Sequence, residues 1–581
     1  MKKLIYALLM FLGVSALAAQ PNIVLILSDD HGWGDVGYHG YDDIMTPNID
    51  RLAKEGTWFS QGYASASVCG PSRAGLLTGV YQQRMGVYGN WDQGGIPESQ
   101  PTVFEMLKKA GYQTAAIGKW HVGAARESLR PNSRDVDFFY GFLWGAHDYY
   151  KSNTDPNTKK KGERPIWRNT DIEPPVQDSN GYLTEMFTDE AVGFIERADK
   201  NKPFFVYLAY NAVHHPWDVP QPYIDRVQGL DTHDERKLFA GMTLCMDDGV
   251  GAVMDALKKK GVDDNTLVVF MGDNGTPRGQ GLIAPKQKKR GECTMSNPGP
   301  FNGFKGDTYE GGIRVPTVVR WPGKIPAGRE YEPPMIGLDW VATFLSINGV
   351  SNPWKGLNFD GVDLMPYITG QKTERPHNVL YFRRGDDYAI RKGDWKLLWC
   401  DSKDGSGTEM IELFDMANDS GEWNNVAAAN PERAQALQDL FDEWDSQLAD
   451  NQTGKNPKNR NSGFAKGRRV NVAGYNANCS LAGVTASGMA ESVGSRSADL
   501  ASRPAAAGRS ATIPALQTTE GRTLEEQLKI AKENAKKKGK PFVEERTTRW
   551  FNAKDTNNDG LLSEEEQKAK APTNWNSEQY D

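Results

Sequence analysis

An α/β domain with a buried parallel sheet is the fold class that residues 20 to 320 predict. Short apolar runs, Asn22–Leu27, Thr114–Ile117, Phe204–Tyr210, Leu267–Met271 and Val315–Arg320, recur between helical stretches. Strands buried on both faces read as continuous apolar runs rather than as alternation, because helices cover the sheet on each side. Four of the runs end in polar clusters: Ser28-Asp29-Asp30-His31, Gly118-Lys119-Trp120-His121, Asn211-Ala212-Val213-His214-His215-Pro216 and Gly272-Asp273-Asn274-Gly275. Ligands of open α/β sheets bind beyond the carboxyl ends of the strands, so these clusters are expected to meet in one crevice.

Before the first run, Met1-Lys2-Lys3 supplies a basic start, Leu4 to Ala16 an apolar stretch and Ala16-Leu17-Ala18 a small-x-small cleavage site. This is the pattern of a secretory signal cut before Ala19. The stretch is shorter than the ~20 apolar residues that span a bilayer, so no stable membrane insertion is expected and the mature chain is placed outside the cytoplasm, secreted or periplasmic. The 581 residues are 38% hydrophobic and 25% charged, with 68 Lys+Arg against 75 Asp+Glu and a net charge of −7. Such a balance excludes collagen, wholesale disorder and a polytopic membrane protein, and it offers no basic footprint for nucleic acid. Five cysteines, Cys69, Cys245, Cys293, Cys400 and Cys479, are an odd number for a compartment in which thiols pair, so one is expected to serve another purpose.

Cys69 is the candidate nucleophile. In Val68-Cys69-Gly70-Pro71-Ser72-Arg73-Ala74-Gly75-Leu76-Leu77-Thr78-Gly79 it precedes a proline suited to a first helical turn, with an arginine four residues on. Cys69 and Arg73 then share a helix face, and the N-terminal backbone N–H groups add positive potential that favours an anion or a charged nucleophile.

Beyond residue 374 the pattern changes. Tyr388–Arg391, Lys396–Trp399 and Glu412–Phe414 read as short strands, followed by a helix from Pro431 to about Ala449. A small antiparallel sheet with a packing helix is expected over 375–450. Residues 451–520 are rich in Asn, Gly, Ala, Ser and Arg and predict a flexible linker. In the final segment, 521–581, Asp555 to Glu566 fits a twelve-residue EF-hand calcium loop. Asp555, Asn557 and Asp559 stand at the first, third and fifth positions, Gly560 at the sixth, the Leu561 carbonyl at the seventh and Glu566 at the twelfth. A single such loop is visible, although EF-hands usually work in pairs.

Cys-x-Pro-Ser-Arg followed by Thr-Gly resembles the signature of the formylglycine-dependent sulfatases of the alkaline phosphatase superfamily. The other clusters match in order: Ser28-Asp29-Asp30, Gly118-Lys119-Trp120-His121, Asn211 with His214, Asp273-Asn274-Gly275, and Lys305-Gly306 with Tyr309-Glu310-Gly311-Gly312-Ile313-Arg314-Val315-Pro316. The resemblance runs from Asn22 to about residue 445. It implies an alkaline phosphatase-like fold with a large mixed, mostly parallel sheet over 19–374, flanked by helices, the smaller antiparallel sheet and then the helical EF-hand module.

It also implies that a maturation enzyme oxidises Cys69 to Cα-formylglycine, which hydrates to a gem-diol. Asp29, Asp30, Asp273, Asn274 and the modified Cys69 would bind one calcium ion, and the EF-hand loop a second. Sulfate ester cleavage builds negative charge on the sulfuryl and bridging oxygens, which calcium, Arg73, Lys119 and Lys305 would balance. In the family's chemistry one diol hydroxyl attacks sulfur with Asp273 as proton acceptor, His214, aided by Lys305, protonates the leaving alcohol, and His121 helps the second hydroxyl to expel sulfate. Three departures touch this pattern: Val213 stands for a proline common before the histidine, Gly272 for a serine before Asp-Asn-Gly, and Val80 for an arginine after Thr-Gly.

A sulfated oligosaccharide or polysaccharide is the expected substrate. Trp33, Trp144, Tyr149 and Trp217 offer rings to stack on sugars, and His147, His215 and Arg320 offer polar contacts. The alternatives are a phosphomonoester or phosphonate monoester hydrolase of the same fold, and a calcium-dependent protein that binds sulfated glycans without cleaving them.

Overall fold

The computed structural model describes residues 20–90, 95–158, 160–177, 181–277, 295–350, 358–385, 387–401, 409–449, 522–523 and 561–562. The leader, the linker 451–520, Cys293, Cys479 and the loop residues Asp555, Asn557, Asp559 and Glu566 lie outside them. The chain divides into two compact units, one up to residue 483 except 281–284, the other comprising 281–284 and 484–581.

In the first unit the strands are β1 (Asn22–Ser28), β2 (Thr57–Phe59), β3 (Gly62–Tyr63), β4 (Gln113–Lys119), β5 (Phe138–Phe142), β6 (Trp167–Arg168), β7 (Asp171–Ile172) and β8 (Phe204–Ala209). They continue with β9 (Thr266–Gly272), β10 (Thr317–Arg320), β11 (Arg329–Tyr331), β12 (Met335–Ile336), β13 (Val379–Arg384), β14 (Asp387–Lys392), β15 (Trp395–Asp401) and β16 (Glu409–Asp415). Ten of them form one sheet in the order β11-β2-β10-β9-β1-β8-β4-β5-β6-β7. The run β9-β1-β8-β4-β5 is parallel throughout, whereas β10 and the β6-β7 ribbon pair antiparallel with their neighbours.

Every residue of β1 is buried, which the continuous run Asn-Ile-Val-Leu-Ile-Leu-Ser requires. Successive side chains of a strand point to opposite faces. Val24 and Ile26 join a core with α1 (Pro47–Glu55), α4 (Leu183–Arg197) and α6 (Asp234–Lys260). Ile23, Leu25 and Leu27 join another with α2 (Cys69–Thr78), α3 (Val103–Lys109) and the helix Asp339–Ser346. All ten residues of α2 are buried, so this helix has no solvent face.

A four-stranded antiparallel sheet, β13-β14-β15-β16, packs its own core against the helix Pro431–Asp445 through Leu437, Phe441 and Trp444. The strand Val379–Arg384 was not expected, and the helix ends earlier than Ala449. The run Val315–Arg320 also departs from expectation, because only Thr317–Arg320 forms a strand and it lies antiparallel to β9. Arg320 therefore stands level with Val268, away from the carboxyl end of β9. In the second unit, Arg522–Thr523 pairs antiparallel with Leu561–Leu562, the two residues after Gly560. Among the described residues no helix is long and apolar enough to cross a membrane.

Candidate active site

β1 lies between β8 and β9 and is parallel to both, so the segments that follow the three strands converge at one edge of the sheet, where ligands of open α/β sheets bind. Asp29 and Asp30 follow β1, Lys119 ends β4 with His121 just beyond, Asn211 and His214 follow β8, and Asp273 and Asn274 follow β9. Backbone hydrogen bonds continue past the strands and fix the register: Asp29 N donates to Ala212 O, Val213 N to Asp29 O and Asp273 N to Ser28 O. The Ala212–Val213 peptide is cis, at the position where Val213 was noted for a missing proline. Asp30 and His121 both hold a φ of +58°, a left-handed conformation unfavourable for side-chain-bearing residues and found disproportionately at functional sites.

Cys69 opens α2, and the second helical residue, Gly70, donates its N–H to Asn90 Oδ1 at 2.8 Å. The other end of the Asn90 amide, Nδ2, lies 3.4 Å from Cys69 Sγ. The thiol is buried and forms no disulfide. Arg73, one turn on, is fully buried. Its Nε and Nη2 lie 2.9 and 2.8 Å from Asp273 Oδ2, and Nη1 donates to Lys119 O at 3.0 Å.

Lys119 Nζ lies 2.6 Å from Asp29 Oδ2, and Lys305 Nζ 2.7 Å from Asp30 Oδ1. Three carboxylates thus meet three cations, and Asn274 Nδ2 bridges to Asp30 Oδ1 at 2.9 Å. The loop carrying Lys305 is tied down on three sides. Lys305 N donates to Thr276 O, Gly306 N to Ser67 O beside the cysteine, and Arg384 of β13 to Gly306 O at 2.8 Å. The helical turn Glu310–Ile313 that follows joins the C-terminal sheet through a buried network. Lys396 meets Glu310 at 2.8 Å and Glu422 at 2.7 Å, and Tyr63 donates to Glu310 at 2.6 Å.

Burial and then the neighbouring Asp273 carboxylate push the Asp29 carboxyl well up from its usual range, more than Lys119 and Arg73 pull it down. Burial also acts on Asp30, but there Lys305 and His214 prevail and hold the carboxyl below its usual range. Burial, with Lys119 and Arg73 adding to it, drives the His121 imidazole down. Burial likewise lowers His214, against the opposing pull of Asp30. His214 Nδ1 sits 2.6 Å from the His215 carbonyl, which makes Nδ1 the donor there and turns Nε2 toward Asp30, 3.7 Å away.

The oxygens suit a hard cation. Asp29 Oδ1 and Asn274 Oδ1 are buried without hydrogen-bond partners. Leaving such acceptors unpaired is costly, and a cation satisfies them. Carboxylate oxygens of Asp29 and Asp273 and the Cys69 sulfur lie within 4.8 Å of one another, as do ligand atoms of Asp29, Asp30 and His214.

Around the rim, His215 is half-buried and stacks on His214 with ring centres 4.4 Å apart, and half-buried Trp217 lies edge-on to it at 6.2 Å. Half-buried Trp144 carries the Arg164 guanidinium 3.9 Å above its ring. The next residue, Gly145, runs so close to His121 that a Cβ would stand 2.6 Å from its Nε2. Four residues read as sugar contacts are placed otherwise. His147 is buried, with both ring nitrogens on the backbone carbonyls of Asp148 and Arg164 at 2.6 and 2.7 Å, so no polar atom is left for a substrate. Trp33 stacks on His39 and packs against Phe301. Arg320 pairs with Glu55 and Asp263, and Tyr149 is buried. Asn90 was missed by sequence reading; nothing in its surroundings, Tyr88-Gly89-Asn90, marks it as a neighbour of the cysteine.

A buried cysteine, three acid–base ion pairs and two histidines at the strand ends of a doubly covered sheet define an enzyme site for an anionic ester. The chain belongs to the sulfatase family, whose model matches residues 21–350, with a further match to the C-terminal region of N-sulphoglucosamine sulphohydrolase over 304–451. N-acetylgalactosamine-6-sulfatase of Homo sapiens is 31% identical over 471 residues, 73% of this chain and 85% of that protein. Arylsulfatase G of Rattus norvegicus is 31% identical over 74% of this chain and 89% of its own length. Among solved structures, Ps i-CgsB in complex with k-i-k-neocarrahexaose is 34% identical with a TM-score of 0.67, covering 74% of this chain and 94% of that one. The phosphonate monoester hydrolase of Agrobacterium radiobacter, 19% identical with a TM-score of 0.51, shares the fold alone. The protein is a sulfuric ester hydrolase of the alkaline phosphatase-like superfamily.

Proposed function

We propose that this sulfatase removes O-sulfate from a sulfated carbohydrate, with a formylglycine made from Cys69 as nucleophile and one calcium ion in the site. The observation that carries the reading is the pair of orphaned oxygens, Asp29 Oδ1 and Asn274 Oδ1, beside a buried free thiol grouped with Asp29 and Asp273. Asp29, Asp30, Asp273 and Asn274 would hold the ion. Its two charges would supply a positive field for the sulfuryl oxygens, and the hydrated aldehyde at position 69 a hydroxyl nucleophile together with a second hydroxyl whose ionisation releases sulfate.

The chain's own residues do the rest. Arg73, Lys119 and Lys305 provide fixed cations whose removal costs about 10²–10³ in rate for each such donor. His214, with Nδ1 anchored on the His215 carbonyl, turns Nε2 to the leaving oxygen; burial opposes its charged form and the Asp30 carboxylate favours it, and it is the imidazolium that contributes about 10²–10⁴ as a proton donor. His121, kept neutral by burial and by Lys119, serves as proton acceptor. His215 and Trp217 sit on the loop of His214, and Trp144 follows β5 next to Gly145, which packs on the His121 ring; there a sugar would be recognised. Relatives named for N-acetylgalactosamine 6-sulfate and a neighbour solved with neocarrahexaose favour a carbohydrate.

Secretion directed by Met1–Ala18, maturation by a formylglycine-generating enzyme and a second calcium ion in the Asp555–Glu566 loop belong to the same proposal. The ladder between Leu561–Leu562 and Arg522–Thr523 supports it by giving that loop a strand partner within the chain. The test is sulfate release from a panel of sulfated saccharides, run against a sulfate and a phosphate ester with one leaving group. Release from a saccharide, with the sulfate ester preferred, is expected. A phosphate preference would support the monoesterase alternative, and glycan binding without release the non-catalytic one.

A further inference from the structure

Two buried tyrosines grip the loop that carries His214. The Tyr149 hydroxyl lies 2.6 Å from Asn211 O and 2.8 Å from His214 O, so its single proton is shared between two carbonyls of that loop. Tyr182 stacks on Tyr149, ring centres 5.3 Å apart and 17° from parallel, and donates to Asp218 O at 2.9 Å. Leu183 N returns a bond to Tyr149 O at 2.9 Å, which locks the start of α4 to the same pair.

We infer that Tyr149, backed by Tyr182, is the positioning residue for His214 and sets the aim of its Nε2 at the leaving-group oxygen. The proposal rests on the reading of His214 as proton donor. A side chain that reaches its target through a short irregular loop needs that loop over-determined, because about 1 Å of misplacement can cost ~10²-fold in rate. The strand-end bonds between Asp29 and residues 212 and 213 hold one side of the loop. The backbone at His214 itself is held from above by the Tyr149 hydroxyl and internally by its N–H on Asn211 O at 2.9 Å. Burial, with Asp29 and Asp30 adding to it, drives the phenol's titration well upward, so Tyr149 stays a donor. Asp30, 3.7 Å from Nε2, and His215, stacked on the imidazole, are untouched when only the phenolic oxygen is removed.

The experiment is a leaving-group series measured on the mature enzyme, from nitrophenyl-type sulfates to an unactivated sugar sulfate, for wild type, Tyr149→Phe, His214→Ala and the double variant. Tyr149→Phe keeps the ring stack and is expected to fold, with Tm lowered by about a few degrees because two buried carbonyls lose their donor. Loss of aim hurts poor leaving groups most, so kcat is expected to fall about 10-fold or more on the sugar sulfate and about 2-fold or less on the most activated ester. In the His214→Ala background the same change is expected to add nothing to the leaving-group slope. Tyr182→Phe, which releases only the Asp218 end, should shift the slope in the same sense by less. A Tyr149→Phe loss that is uniform across leaving groups, or additive with His214→Ala, overturns the positioning role. If His214→Ala itself shows no leaving-group dependence, the donor assignment falls and this inference with it. A steep His214→Ala beside a flat Tyr149→Phe removes the positioning role alone.

Discussion

Arg73 and Asp273, 200 positions apart in the chain, meet through two nitrogens on one oxygen, 2.9 and 2.8 Å from Asp273 Oδ2. The pair ties the cysteine helix to the strand-end carboxylate across the floor of the crevice. It leaves Asp273 Oδ1, which accepts from Asp30 N at 3.2 Å, on the side of the other acids.

Arg73→Lys keeps the charge and gives up the fork, because an ammonium cannot reach Asp273 and the Lys119 carbonyl together. The variant is expected to fold and to lose about 10²-fold or more in kcat with a smaller change in KM. Steady-state kinetics on one sulfate ester check this. A variant within about 2-fold of wild type would show that position 73 needs only a charge.

Calcium is expected to stabilise the enzyme through two separable sites. Chelation should abolish activity and lower Tm, since a ligand present at about 100 times its Kd adds about 2.7 kcal/mol. Asp273→Asn should remove the activity and part of the calcium-dependent Tm gain. Glu566→Gln should leave activity in calcium untouched and remove another part. Calorimetric titration of the three proteins separates these outcomes.

The buried Lys396 is shared by Glu310 and Glu422. Burial raises the Glu422 carboxyl to about 8, against the pull of Lys396 and with the push of Glu310. Between the ordinary titration of a glutamate and that value the folded state holds a proton that the unfolded chain has released. Stability therefore falls as pH rises through this window. Glu422 is therefore expected to contribute a fall in Tm between about pH 5 and about pH 8, and Glu422→Gln to remove that contribution. An unchanged slope in the variant would place the loss elsewhere.

Asn90 bridges the Gly70 N–H and the Cys69 sulfur. Asn90→Ala is expected to leave conversion of Cys69 intact and to reduce kcat/KM about 10-fold, through a less ordered start of α2. Peptide mass spectrometry and kinetics on the same preparation report the two quantities separately.

The strand-end clusters were legible because β1, β4, β8 and β9 are buried on both faces and so appear in the sequence as plain apolar runs, each followed by its functional residues. Direction is not written in such a run. Val315–Arg320 looks like the others, yet it contributes an antiparallel strand and carries Arg320 to Glu55 and Asp263 instead of the crevice. Nor does an aromatic letter say whether its ring meets a sugar or its hydroxyl a carbonyl, and Tyr149 does the second. His147 shows the same: its ring nitrogens meet the backbone carbonyls of Asp148 and Arg164, partners that its local sequence does not mark. The Glu310 network depends on partners 86 and 112 residues away, which no local pattern encodes.

The central claim concerns the chemical state of position 69, so the most direct measurement is mass spectrometry of the peptide that spans Cys69, from protein matured with a formylglycine-generating enzyme, alongside sulfate release. The account predicts a loss of about 18 Da relative to the thiol and activity that disappears in Cys69→Ala. An unmodified Cys69 in protein that still releases sulfate at full rate would contradict it.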